Sequence, residues 1–171
     1  MSGAAMRQAT LCFPIRGDPP HEILLGFKKV GLGATKYNGF GGKVEAGETV
    51  AMAALRELED ECGVRAALDD LRPVGHLTFF FPAQPAWEQQ VHVFLVSTWE
   101  GVPAESREMA PAWFAIDDIP FEQMWQDDAH WLPRVLAGEC VRACFTFQSD
   151  NETIQEFEIY EWDGTLEQEA R

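Results

Sequence analysis

The sequence predicts an α+β fold built on a mixed β-sheet. Three observations lead there. Strand-like segments outnumber helical ones, residues 49–62 carry the clearest helical period, and a glycine-rich stretch over 30–44 fits neither pattern. With 171 residues and 46% hydrophobic content, the chain suits one domain with a full core.

The elements follow in order. ATLCFPIR (9–16) and EILLGFKK (22–29) read as strands around a turn at GDPPH. The next stretch, VGLGATKYNGFGGKV, holds Gly31, Gly33, Gly39, Gly41 and Gly42, and reads as a loop with a short strand near FGGKV. In the helix over 49–62, Ala51, Leu55, Leu58 and Cys62 fall on one stripe, the expected core face. Thr49 is the expected N-cap and Gly63 the stop. Ala53 and Ala54 fall on the other side, where small residues would leave room for a ligand.

VGHLTFFF (74–81), QVHVFLVSTW (90–99) and APAWFAIDDIP (110–120) supply three more strands. Residues 121–138 read as helix in pieces, with Pro133 interrupting or starting one. RACFTFQS (142–149) and TIQEFEIYEW (153–162) alternate around SDNE, a hairpin signal. The expected organisation is a flexible N-terminus over 1–8, one domain over 9–162 and an acidic tail over 163–171.

Charge and composition exclude several classes. A net charge of −15 repels nucleic acid polymers, yet a small anion is still accessible if a divalent cation accompanies it. No apolar run approaches 18 residues, so no membrane-spanning helix is expected. The N-terminus lacks the features of a signal or transit peptide, which makes the cytoplasm the expected location. Cys12, Cys62, Cys140 and Cys144 form no CxxC pair and read as reduced, partly buried thiols.

Glu57, Asp60 and Glu61 crowd one helix, where like charges at i, i+3 and i+4 repel by roughly a few tenths of a kcal/mol per pair. A hard cation offsets that repulsion. Mg²⁺ takes oxygen ligands and commonly bridges carboxylates to phosphates. Arg56 stands where it can orient the acids, and Gly41 and Gly42 let backbone approach a metal or phosphate closely.

Gly42, Glu48 and the run Arg56-Glu57-Leu58-Glu59-Asp60-Glu61-Cys62-Gly63-Val64 resemble the Nudix box, GX5EX7REUXEEXGU. Asp60 departs from it, standing where the family usually has Glu. NGFGGK, WQDD and the ESREMAP segment are similar to the oxidised-purine nucleoside triphosphatase branch, the MutT-type 8-oxo-dGTP diphosphatases, and the likeness covers roughly 9–162.

The resemblance implies a Nudix fold, a mixed sheet sandwiched between helices (α/β/α). It implies hydrolysis of 8-oxo-dGTP and 2-hydroxy-dATP to monophosphate and pyrophosphate with Mg²⁺, Mn²⁺ being the alternative ion, by a monomer. It places the metal on Gly41, Glu57, Asp60, Glu61 and Glu108. Catalytic roles fall to Glu57, Glu61, Glu108 and Arg56, with Glu57 or Glu108 as general base and Arg56 and Glu48 as structural members of the box. It assigns substrate contacts to Thr10, Lys28, Asn38, Phe40, Gly41, Gly42, Lys43, Phe79, Trp125, Asp127 and Asp128. Leu32 and Gln89 differ from common family residues at pocket positions, and Trp113 and Trp131 read as core. The alternatives are Nudix chemistry on another nucleotide, a silent nucleotide-binding module, and RNA cap binding, which the charge disfavours.

Overall fold

The computed structural model describes residues 6–166. In chain order it contains β1 (Arg7–Arg16), β2 (Glu22–Lys28), β3 (Tyr37–Asn38), α1 (Val50–Cys62), β4 (Leu71–Phe80), β5 (Gln89–Val96), β6 (Met109–Ala115), α2 (Asp128–Leu136), β7 (Val141–Phe147) and β8 (Ile154–Glu161). The strands run β3-β2-β1-β5-β4-β7-β8, with β6 paired to β2. β1 with β5 and β4 with β7 are parallel, and the remaining pairs are antiparallel, so the sheet is mixed.

Strand alternation sends side chains to opposite faces and so makes two cores. Phe13 on β1 and Val93 and Leu95 on β5 join the core that α2 covers with Trp131, Leu132 and Val135. Cys12, Phe94 and Val96 join the other, which α1 covers with Val50, Ala54, Leu58 and Cys62. The sheet therefore lies between the two helices, as expected.

α1 is capped as the sequence predicts. Thr49 Oγ1 accepts from the Met52 N–H at 3.1 Å. Gly63 ends the helix at φ 77°, a left-handed conformation that costs glycine little. The expected core face needs correction, however. Ala51 and Leu55 are half-buried, whereas Val50, Ala53, Ala54 and Leu58 are buried. The stripe starts one residue earlier; both alanines are buried, and Ala54 packs in the core between α1 and the sheet rather than facing a ligand. This rotation also carries Glu61 inward, to 5% exposure.

Other boundaries shift modestly. β1 begins at Arg7, whose partner is Gln89, so ordered structure starts inside the N-terminal segment expected to be flexible. Residues 163–166 carry no regular structure, and 1–5 and 167–171 lie outside the described residues. Pro133 neither starts nor ends α2 but stands within it. The bond it cannot make would go to the Ala129 carbonyl, on an exposed residue where water can serve. The four cysteines are free; Cys12 and Cys62 are buried and Cys140 and Cys144 half-buried. Among the described residues no helix is long and apolar enough to cross a membrane.

Candidate active site

The glycine loop and α1 make one wall of the site. Gly41 N–H donates to Glu61 Oε1 at 2.8 Å. A Cβ on Gly41 would lie 1.8 Å from the Thr10 carbonyl oxygen, and one on Gly42 would lie 2.3 Å from Glu57 Oε2. Gly41 therefore demands glycine, because backbone packs where a side chain would begin, and a side chain at Gly42 would displace the Glu57 carboxylate.

Arg56 holds this wall together. Its Nε and Nη2 donate to Glu48 at 2.6 and 2.9 Å, its Nη1 to Glu57 Oε2 at 3.0 Å, and its Nη2 to the Lys43 carbonyl at 3.1 Å. The guanidinium and the Glu45 N–H hold the Glu48 carboxyl down at about 2. Arg56 is thus a positioning residue: it fixes Glu57 and joins the loop to the helix. Asp60, with a 65% exposed side chain, lies 3.9 Å from the same guanidinium.

Glu61 carries the tension in the wall. Burial pushes its carboxyl up to about 8, and the charges of Glu57 and Glu108 push the same way, while the Gly41 N–H and Lys28 oppose them. Glu108 reaches this neighbourhood because Met109 pairs with Lys28 across β6 and β2. The Lys29 N–H then donates to the Glu108 carbonyl at 2.7 Å. The sequence placed Glu108 far along the chain; strand pairing brings it to Glu61.

The donor chemistry suits a hard divalent cation. Glu61 is a buried carboxyl beside two other acids, and its full ionisation calls for a positive charge close by. Among the described residues no three His, Cys, Asp or Glu side chains converge into a cage of their own. An open set of carboxylates is what Mg²⁺ uses when substrate phosphates and water complete its shell.

A cleft of about 200 Å³ runs from this wall to α2. Thr10, Lys28, Asn38, Lys43 and Phe79 line it, together with Leu32 and Gln89. Phe40 does not. Its backbone pairs with Cys12, and its ring is fully buried beneath α1. The aromatic floor is built by strand alternation: Phe79 stacks on Phe145 at 5.7 Å and Phe81 on Phe147 at 4.8 Å. Trp125 meets Phe81 and Phe147 edge-on at 6.2 and 6.0 Å, and Lys36 Nζ lies 5.3 Å from its centroid.

At the far end of the cleft sit Asp127 and Asp128, 3% and 2% exposed. Asp127 occupies the N-cap position of α2 but makes no capping bond with its side chain. Instead Asp127 Oδ2 accepts from the Trp131 indole N–H at 2.8 Å. Asp128 Oδ2 is buried without a hydrogen-bond partner. Burial raises both carboxyls, Asp127 to about 6, and the neighbouring Asp127 charge raises Asp128 further. Trp131, expected as core, is core and also lines the cleft. Its bond to Asp127 was readable only as an i, i+4 spacing. Trp113 is half-buried, with the Arg16 guanidinium 3.8 Å from its ring centroid.

Known proteins resemble this chain in sequence and fold. The NUDIX domain family matches residues 6–135. The chain belongs to the Nudix family. It is 44% identical over 145 residues to the oxidized purine nucleoside triphosphate hydrolase of Mus musculus, covering 85% of this chain and 90% of that protein. It is 46% identical over 136 residues to the protein of the same name from Danio rerio, covering 80% and 85%. The crystal structure of a mutator MutT protein from Bacillus halodurans superposes with a TM-score of 0.75 at 21% identity, over 90% of this chain and 97% of that one, which speaks for the fold. Nudix hydrolases act on phosphoanhydrides and generally need divalent metal ions.

Proposed function

We propose that this Nudix enzyme hydrolyses oxidised purine nucleoside triphosphates, 8-oxo-dGTP and 2-hydroxy-dATP among them, to the monophosphate and pyrophosphate. It thereby clears the nucleotide pool of mutagenic precursors. The observation that carries the reading is one cleft with two chemically distinct ends. Glu61 of the acidic wall lines it, with Glu57 packed against the lining residue Gly42, and a buried pair of adjacent carboxyls lines it beside α2. The mouse and zebrafish relatives bear names that match it.

At the phosphate end, Glu57, Glu61 and Glu108, with Asp60 at the rim and the Gly41 carbonyl, would hold Mg²⁺. When bound, the cation neutralises phosphate oxygens and acidifies water for in-line attack. The chain's own residues do the rest. Arg56 fixes the Glu57 carboxylate, and the Gly41 N–H fixes that of Glu61. Glu57 or Glu108 takes the proton from the attacking water. Lys28 and Lys43, both on the cleft, offset phosphate charge.

At the base end, Trp125 supplies a stacking surface, and Asn38 supplies an amide. Asp127 and Asp128 read the polar edge. Two close carboxyls resist double ionisation, so one keeps a proton near neutral pH. A protonated acid donates to an acceptor such as the O6 of guanine; an ionised one accepts from an amino group such as the N6 of adenine. Shifting one proton lets the pair meet either oxidised base. On this reading the enzyme works as a monomer on free nucleotides in the cytoplasm.

Product analysis tests the phosphate end. With Mg²⁺ and 8-oxo-dGTP, the expected products are 8-oxo-dGMP and pyrophosphate in equal amounts. Release of diphosphate and inorganic phosphate would contradict the reading.

A further inference from the structure

Trp131 packs in the core, and its ring meets Phe13 edge-on with centroids 6.0 Å apart. That contact fixes the indole and aims its N–H at Asp127 Oδ2, 2.8 Å away. The two residues are four apart at the start of α2, so they share one face. The neighbouring carboxyl differs. Asp128 is 2% exposed, and its Oδ2 has no hydrogen-bond partner.

An indole N–H only donates. It stabilises a carboxylate and offers nothing to the O–H of a protonated acid. Where a buried pair carries one negative charge, that charge settles on the carboxyl that receives the donor. We propose that Trp131 is a positioning residue that sets the proton order of the pair, keeping Asp127 as the ionised acceptor and Asp128 as the proton-bearing donor to the substrate base. The proposal rests on the reading of this pair as the base-recognition site, and it names the residue that biases that site.

The electrostatics run the same way. At Asp127 the Trp131 N–H and a backbone N–H work against burial, whereas at Asp128 burial and the Asp127 charge outweigh the backbone N–H of Trp125. The other charged groups on the cleft are Lys28 from β2, Lys43 from the glycine loop and Glu61 from α1. None of these shifts either aspartate, whereas Lys28 acts on Glu61. The indole is the side-chain donor that distinguishes the two acids, each of which also has a backbone donor. The consequence is a bias toward bases that present an acceptor to Asp128. A base that presents an amino group there must first move the proton against the pull of Trp131.

Two measurements test this. The first needs no core variant: a titration of the wild-type protein followed by aspartate carboxyl ¹³C shifts, assigned with Asp127→Asn and Asp128→Asn. Asp127 should ionise first, and Asp128 should remain protonated at pH 7. Ionisation of Asp128 first would overturn the proposal. The second replaces Trp131 by Phe, or by a benzothienyl-alanine of the same shape that lacks the N–H. The ratio of kcat/KM for 8-oxo-dGTP to that for 2-hydroxy-dATP should change by about tenfold, through KM, with kcat nearly unchanged. A ratio unchanged in the isosteric variant would overturn the link to specificity. If the wild type shows no preference for oxidised purines while Asp127 still ionises first, the base reading alone fails.

Discussion

Glu61→Gln should lower kcat/KM by on the order of 10³-fold with every nucleotide, because it removes charge where phosphate charge must be neutralised and water activated. The carboxyl it replaces is buried, held by the Gly41 N–H and crowded by Glu57 and Glu108. Glutamine keeps the shape and can still accept the Gly41 bond. The loss is therefore chemical rather than structural. A second readout separates the two explanations. Mg²⁺ should raise the Tm of the wild-type protein by binding the folded state, and should raise that of Glu61→Gln much less. Activity loss with an unchanged Mg²⁺ response would place the metal elsewhere in the acidic wall.

Asp128→Asn should alter base selectivity and pH dependence together. A polar contact to a base edge discriminates by roughly 1–3 kcal/mol, so the ratio of the 8-oxo-dGTP and 2-hydroxy-dATP activities should move by about tenfold or more. Stability should respond as well. The folded-state pKa of Asp128 lies well above 3.8, so between that value and its folded pKa the folded protein holds a proton the unfolded chain has lost. Wild-type stability contributed by this group is therefore present at low pH and lost as pH rises through the folded pKa. Asparagine has no charge to form. Its Tm advantage over wild type should be small near pH 4 and larger at pH 8, as thermal melts across that range would reveal. An equal shift of both activities and a pH-independent Tm difference would count against the protonated-pair account.

Much of this was legible before the structure. Alternation marked the strands, and the spacing from Gly42 through Glu61 marked the acidic wall, because both are local patterns that fix local geometry. What failed was orientation. Ala53 and Ala54 looked like room for a ligand but are both buried, Ala54 in the core between α1 and the sheet. Smallness has either meaning, and only the rotation of the helix decides between them. Phe40 adjoins Gly41 in sequence, yet its pairing with Cys12 sends the ring under α1 rather than into the cleft.

The other gaps are contacts made across the fold. Glu108 was named only through the family resemblance; the contact that brings it to the acidic wall, the pairing of β6 with β2, was not legible from spacing. Trp131 reads as bulk, and its N–H acquires a purpose only once α2 begins at Asp128 and brings Asp127 into reach. Burial of both aspartates was equally invisible, since an acidic pair at a helix start is ordinarily solvated.

On the proposed reading, one cleft joins a phosphate-cleaving wall to a pocket that recognises oxidised purines. The most direct test is kcat/KM for 8-oxo-dGTP and dGTP at the same Mg²⁺ concentration, with pyrophosphate as the readout. The oxidised base should be preferred by about tenfold or more. Equal values with full pyrophosphate release would contradict it, leaving the Nudix chemistry of Glu57 and Glu61 intact and removing the role assigned to Asp127 and Asp128.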